Sequence, residues 1–341
     1  MSQSDPARRR RPGATFLVFA LLIALLSLTI RAAVMLPLRH QPPNDPDNYL
    51  LLASSLAEGE GFQIHSRSTA YRPPLYPMVL APGVAIFGLP ATTWVVLLHL
   101  ASGLAAVGLT GLAALRWGLP NRSSALAMII VACDPVLVSQ VRGVMTEPLA
   151  AAIVAAMLAS AGPSPTLIGS ARTGVLGALA SLCRPSLLPA SLLIALATSI
   201  LPPGRWTLRM ARSAAMLIAV VSTMAPWAIR NTFVFGTPVW TTTHGGYTLL
   251  LANNPTYYHD VLDGPLDVWS GPNQARWFSE VNLLAEGLSE PQADRLFRRL
   301  AFRVMAERPD LALRATLARI GRFWAVSPSS AVYSSKLRWL S

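Results

Sequence analysis

The sequence predicts an all-α polytopic membrane protein: a bundle of transmembrane helices with extracytoplasmic loops and a partly helical C-terminal tail. Three observations carry that prediction. Of 341 residues, 52% are hydrophobic and 13% charged, whereas a soluble domain carries about a quarter charged residues. Apolar stretches recur, several near the roughly 20 residues that cross a hydrocarbon core of about 30 Å as a helix. Acids are almost missing from them: between Gly61 and His259 the only two are Asp134 and Glu147.

Taken in order, Arg8 to Arg11 precede an apolar stretch from Ala14 that is longer than a secretory signal core. It reads as an uncleaved span at 14–36, with the basic tail 1–13 in the cytoplasm. Further spans are expected at 91–115, 123–141, 147–163, 166–183, 186–202 and 213–235. The fourth to sixth are short, and 166–183 with 186–202 forms a tight hairpin broken at Arg184-Pro185. Segment 74–89 is apolar but interrupted by prolines, which suits a re-entrant or interface-lying helix. Seven spans over 14–235 leave a first outer loop at 37–73. They put Arg116, Arg122, Arg172, Arg205, Arg209 and Arg212 on the inside, as the positive-inside rule asks.

The remaining region, 236–341, then lies outside, a side its many arginines do not favour; long tails obey the charge rule weakly. It opens with tight turns at His244-Gly245-Gly246 and Asn253-Asn254-Pro255. Leu296, Leu300, Val304 and Met305 then recur on one face of an amphipathic helix, which Pro309 divides into two.

Composition also excludes functions. The net charge of +12 rests on arginines at span ends and in the tail, with Lys336 the single lysine. That is membrane topology rather than a nucleic-acid face. Cys133 and Cys183 fall in apolar segments without metal-ligand spacing and read as small hydrophobes. The five histidines have no HExxH partner, and no Ser/His/Asp set, GxxxxGK or GxGxxG is present. Spacing therefore points to no cofactor and no metal site, and leaves a divalent-cation requirement open.

Few groups remain that can carry chemistry. An acid near hydrocarbon is costly unless hydrated, paired or used, so each is a functional candidate. Asp45 and Asp47 stand in NDPDNY just past the first span, followed by Glu58 and Glu60. An Asp ahead of a helix serves as N-cap, which accounts for one of them. A loop acid reached from water also suits a general base. Glu147 opens a helix with Pro148 in its first turn, again a capping pattern, and shares the outer side with Asp45. Asp134-Pro135 reads as a turn. Arg72, Arg142, Arg184 and Arg230 lie at the outer or interfacial level, where arginines either snorkel or grip phosphate through the guanidinium fork.

Taken together, DPDNYLLLASSLAEGEGF, YRPPLYPMVLA, MTEPL, LGALASLCRPSLLPA and APWAIRNTFVFGTPVWTTTHGGYTLLLANNP resemble, in order and spacing over about residues 15–255, the GT-C membrane glycosyltransferases. The likeness is to the bacterial branch akin to protein O-mannosyltransferases and the lipid A aminoarabinose transferase. It implies a bacterial inner-membrane enzyme, active site outward, moving a sugar from a polyprenyl-phosphate donor to a protein, lipid or polysaccharide acceptor. On that likeness the catalytic set is Asp45, Asp47 and Glu147. The family shows an Asp-Glu or similar pair in the first loop, so Pro46 leaves open which aspartate acts. Arg184 and Arg230 match motif arginines; with Arg72 they are assigned to the donor phosphate, and Tyr49, Tyr71, Asn231, Asn253 and Asn254 to substrate. Relatives continue past a Phe-Trp like Phe323-Trp324 into further membrane helices, so a short or truncated member is expected. A lipid-linked saccharide transporter and a non-catalytic envelope-assembly subunit are the competing expectations.

Overall fold

A computed structural model describes residues 13–35, 43–162, 166–202, 204–264 and 269–324. The basic tail through Pro12, the start of the first outer loop and everything beyond Trp324 lie outside the described residues. The chain divides into two compact units, Met1–Val234 and Phe235–Ser341.

Among its described residues the first unit is built from helices joined by short connections, with one small hairpin. Its helices are α1 (Ala14–Met35), α2 (Tyr49–Ala57), α3 (Leu75–Phe87), α4 (Thr92–Arg116), α5 (Asn121–Cys133), α6 (Pro135–Ser139), α7 (Glu147–Ser160), α8 (Leu167–Cys183), α9 (Leu188–Ile200) and α10 (Trp206–Phe235). Between α2 and α3, strands β1 (Gln63–Ile64) and β2 (Arg67–Ser68) pair antiparallel, Gln63 opposite Ser68 and Ile64 opposite Arg67.

Among the described residues four helices are long and apolar enough to cross a membrane: Ala14–Met35, Thr92–Arg116, Asn121–Arg142 and Trp206–Phe235. Their outer faces expose Leu, Ile, Val and Phe, such as Leu21, Ile130 and Ile218. Water disfavours such faces and lipid accepts them, so the chain is an all-α membrane protein. Helices α3, α7, α8 and α9 are apolar but shorter.

Tertiary contacts give the direction of each helix. Arg116 and Trp117, at the end of α4, donate to the carbonyls of Ala159 and Leu158 at the end of α7, at 2.7 and 3.0 Å. His99, in the first half of α4, meets Val141 just ahead of α7. Helices α4 and α7 therefore run parallel, and the intervening α5 returns against them. Gly174 lets α8 touch the backbone of α10 at Met216, where an added Cβ would lie 2.5 Å from the carbonyl oxygen. The turn Pro185–Leu187 folds α9 back along α8, so 166–183 and 186–202 do pair as a hairpin broken at Arg184-Pro185.

The span Asn121–Arg142 is interrupted at Asp134-Pro135. Proline has no N–H to continue the ladder, and Asp134 caps α6 by accepting from the Leu137 N–H at 2.7 Å. The break frees carbonyls at the end of α5. Buried Arg31, on α1, takes them up, donating to Ala132 at 3.0 Å and Val131 at 3.4 Å and to the Ser27 hydroxyl at 2.6 Å. Gly103 on α4 leaves room for that guanidinium; a Cβ there would collide with it.

The second unit contains α11 (Gly245–Ala252), α12 (Pro255–Tyr257) running into a π-turn at Tyr258–Asp263, α13 (Pro272–Leu284), α14 (Glu290–Glu307) and α15 (Pro309–Phe323). Its core gathers Leu250, Tyr257, Trp269, Trp277, Phe297 and Ala301. Pro309 does separate two helices. The buried stripe of α14 differs from the expected one: Asp294, Phe297 and Ala301 point inward, with Leu296 and Leu300 only partly covered. The reason is close approach. Gly246 lies against the Asp294 backbone, and the Gly246 N–H donates to the Asp294 carboxylate, which also pairs with Arg298 at 2.7 Å. A periodicity of apolar letters does not anticipate an acid buried as a partner's helix cap.

Candidate functional site

One end of the first unit collects its acids. The strand-like segment before α2 is stitched to the segment before α7 by a parallel bridge between Asn44 and Gly143, with the Val144 N–H donating to the Asn44 carbonyl at 2.8 Å. Glycine fits there because a Cβ on residue 143 would lie 3.1 Å from that carbonyl oxygen. The bridge fixes Asp45 and Asp47 beside the segment that leads into Glu147.

Asp45 caps α2, accepting from the N–H groups of Tyr49 at 2.9 Å and Leu50 at 2.7 Å. Burial holds its carboxyl above the ordinary carboxylate range, against the pull of those two N–H groups, and the charge of Asp47 adds to the rise. Asp47 pairs with Arg72 at 2.6 Å, each side chain about a quarter exposed. Arg72 also lies over the Tyr71 ring at 5.2 Å. Glu147 pairs with Arg184, whose Nη1 also donates to the Thr146 hydroxyl at 3.3 Å. Among the described residues, Asp45 is the acid of this group with no cation against it.

Tyr49 stands between the two ion pairs. Burial first, then Asp47, pushes its phenol well up, while Arg72 and Arg184 pull it back. Its ring packs edge-on against Tyr76 at 5.1 Å. Buried Tyr76 lies within electrostatic reach of Asp45 and Glu147 and is 2.8 Å from His99 Nε2. The other ring nitrogen, Nδ1, faces the Val141 carbonyl at 3.3 Å. A carbonyl only accepts, so Nδ1 carries the hydrogen, Nε2 accepts, and the Tyr76 hydroxyl donates. This chain fixes the floor beneath the acids.

Arg230, near the end of α10, is committed elsewhere. It donates to the carbonyls of Thr69 at 2.8 Å and Phe62 at 2.6 Å and to the Asn231 side chain at 2.8 Å, with its guanidinium over Trp227 and Phe62. It anchors the β1–β2 loop, and buried Asn231 supports it. Tyr71 takes part through Arg72, and its N–H donates to the Thr69 hydroxyl at 3.0 Å. Arg142 is exposed.

Asn253 and Asn254 belong to the second unit, where both work on local backbone. Asn254 accepts from the Tyr257 N–H at 2.8 Å and donates to Leu250 at 3.0 Å; Asn253 donates to Leu249 at 2.9 Å and accepts from the Tyr258 hydroxyl at 3.2 Å.

The site thus brings together Asp45, Asp47, Tyr49, Tyr71, Arg72, Glu147 and Arg184. Sequence reading missed Tyr76, His99, Thr146 and, at the break in the third long span, Arg31. A charged or imidazole side chain inside an apolar helix was a signal for Arg31 and His99. Among the described residues, no three His, Cys, Asp or Glu side chains gather as a metal ion would need. The chain matches no family model, no curated protein and no solved structure.

Proposed function

We propose that this protein is a membrane glycosyltransferase of GT-C type that moves a sugar from a polyprenyl-phosphate donor to an acceptor hydroxyl at the extracytoplasmic face. The observation that carries the reading is Asp45, which among the described residues has no cation against it, poised beside the Asp47–Arg72 and Glu147–Arg184 pairs at one end of an apolar helical bundle. A carboxylate of raised basicity suits removal of a hydroxyl proton, and two arginines within the same cluster suit the charge of a departing phosphate.

In the proposed step Asp45 takes the acceptor proton as the acceptor oxygen attacks the anomeric carbon. The bond from that carbon to the phosphate oxygen breaks, and the lipid phosphate leaves with the electron pair, neutralised by Arg72 and Arg184. Asp47 and Glu147 hold those arginines until substrate phosphate competes for them. Configuration at the sugar inverts.

A lipid-linked saccharide carrier is the second reading, favoured by the interruption of Asn121–Arg142 at Asp134, since carriers use discontinuous helices near their binding sites. Purified protein in detergent, given a polyprenyl-phosphate sugar and an acceptor, separates the two: an enzyme turns over without a second compartment. Asp45→Asn should lower turnover by about 100-fold or more, the scale of general-base catalysis, while the protein stays folded. Full activity in Asp45→Asn, Asp47→Asn and the double variant would refute the base assignment. Absence of turnover with any lipid-phosphate sugar, alongside saccharide movement in vesicles, would favour the carrier.

A further inference from the structure

The end of the first unit opposite the acids holds a second cluster of polar groups. Helices α8, of 17 residues, and α10, of 30, both begin there. They touch at Gly174 and Met216. One turn closer to the helix starts, Ser170 on α8 comes level with Arg212 and Ser213 on α10, and Arg209 lies a further turn along. Ser170 Oγ, Ser213 Oγ, Arg209 Nε, and Arg212 Nε and Nη1 are all shielded from solvent, and none makes a hydrogen bond among the described residues. Buried donors are normally satisfied, so this many in one place require an explanation.

The charge arrangement narrows that explanation. Of the acids among the described residues of this unit, Asp45, Asp47, Glu58, Glu60 and Glu147 belong to the opposite end or its loops, and Asp134 stands within the span Asn121–Arg142. Two helix amino termini point positive dipole ends here, and arginines in the first two turns of α10 stand against that dipole rather than with it. An anion resolves both conflicts: it accepts the free donors and offsets the accumulated charge. Guanidinium forks and hydroxyls match the oxygens of phosphate. Trp117 and Trp206, 43% and 65% exposed, flank this end, as indoles do at headgroup level.

We infer that Arg209, Arg212, Ser170 and Ser213 form a binding site for a phosphate group, supplied by an anionic lipid headgroup or by a soluble phosphate compound. The site is separate from the acidic cluster and does not rest on that cluster being catalytic.

Native mass spectrometry of the full-length protein, with phosphatidylglycerol and phosphatidylcholine added equally, tests this. The protein should retain phosphatidylglycerol about 10-fold more: both headgroups carry the phosphodiester, but the choline cation of phosphatidylcholine is repelled by the arginines. Arg209→Gln with Arg212→Gln should abolish the preference. Arg172→Gln with Arg205→Gln removes the same charge from exposed positions nearby and should leave it intact; equal loss in both pairs would overturn the proposal. Ser170→Ala with Ser213→Ala keeps every charge, and hence topology, and should weaken retention about fivefold or more through two lost hydrogen bonds. If the arginine variants fail to insert, unchanged retention in the serine pair refutes the site. Retention of inorganic pyrophosphate by lipid-depleted protein, without preference for phosphatidylglycerol, would keep the site and assign it to soluble phosphate. Retention of neither would sink it.

Discussion

As the proposed base, Asp45 would serve structure and chemistry together. Its two oxygens each accept a helix N–H, which fixes the carboxylate in place, while burial raises its affinity for a proton. A base works only when deprotonated, so activity should fall as pH drops through that raised value. Asp47 contributes to the rise through its negative charge. Asp47→Asn should therefore shift the acidic limb of kcat/KM to lower pH: it removes one negative neighbour and frees Arg72, and both changes favour the Asp45 carboxylate. Asp45→Asn should erase the limb along with most of the activity. A limb that persists in Asp45→Asn and vanishes only in Asp47→Asn would move the base to Asp47. At this scale the acids were legible in the sequence because so few exist. The pairing of Tyr76 with His99 was not, because that hydrogen bond joins positions 23 residues apart, a tertiary fact to which no local spacing points.

Elements were more legible than contacts. Long apolar runs specify α1, α4 and the end of α10 almost to the residue, since a membrane-length helix leaves no other way to satisfy the backbone; α10 begins at Trp206, well before the expected 213, because its first turns carry arginines and so fall outside the apolar run. Pro135 and Pro185 mark breaks for the same reason. What the pattern could not supply was the function of Arg230, matched by its motif to the donor phosphate and found holding the β1–β2 loop. That loop turns at His65 and Ser66, both in left-handed backbone at φ 48° and 60°, a conformation costly for residues with a Cβ. The loop is therefore held from outside rather than by its own turn. Lysine keeps the charge at position 230 but lacks the fork needed to reach Thr69, Phe62 and Asn231 together. Arg230→Lys should cost about 2 kcal/mol, the worth of a charged hydrogen bond. Limited proteolysis should then cut at 64–67 well before wild type is cut. Equal cleavage in both proteins would show that the loop is pinned by other contacts, and would return Arg230 to the phosphate assignment.

On the scale of the whole molecule, the quantity to test is the number of membrane crossings. Helices α7, α8 and α9 have 14, 17 and 13 residues, which at 1.5 Å per residue gives about 20–26 Å against a hydrocarbon core of about 30 Å. Length alone would count four crossings and put the arginine-rich second unit inside, where the positive-inside rule prefers it. We propose seven. Arg116 and Trp117 meet the end of α7 while His99 meets its approach, so α7 and its lead-in travel the distance that α4 travels. The bilayer thins around short spans at modest cost. Seven crossings place the acidic end of the first unit on one side and the arginine cluster of α10 on the other. Single cysteines decide it, on a background with Cys133→Ser and Cys183→Ala, at exposed Ser66, Asn121 and Glu286. With a membrane-impermeant maleimide, Ser66→Cys and Glu286→Cys should label in intact cells and Asn121→Cys only after permeabilisation. Protection of Glu286→Cys while Ser66→Cys labels would mean an even number of crossings. Labelling of Asn121→Cys with protection of Ser66→Cys would invert the protein and remove the acidic cluster from any extracytoplasmic substrate.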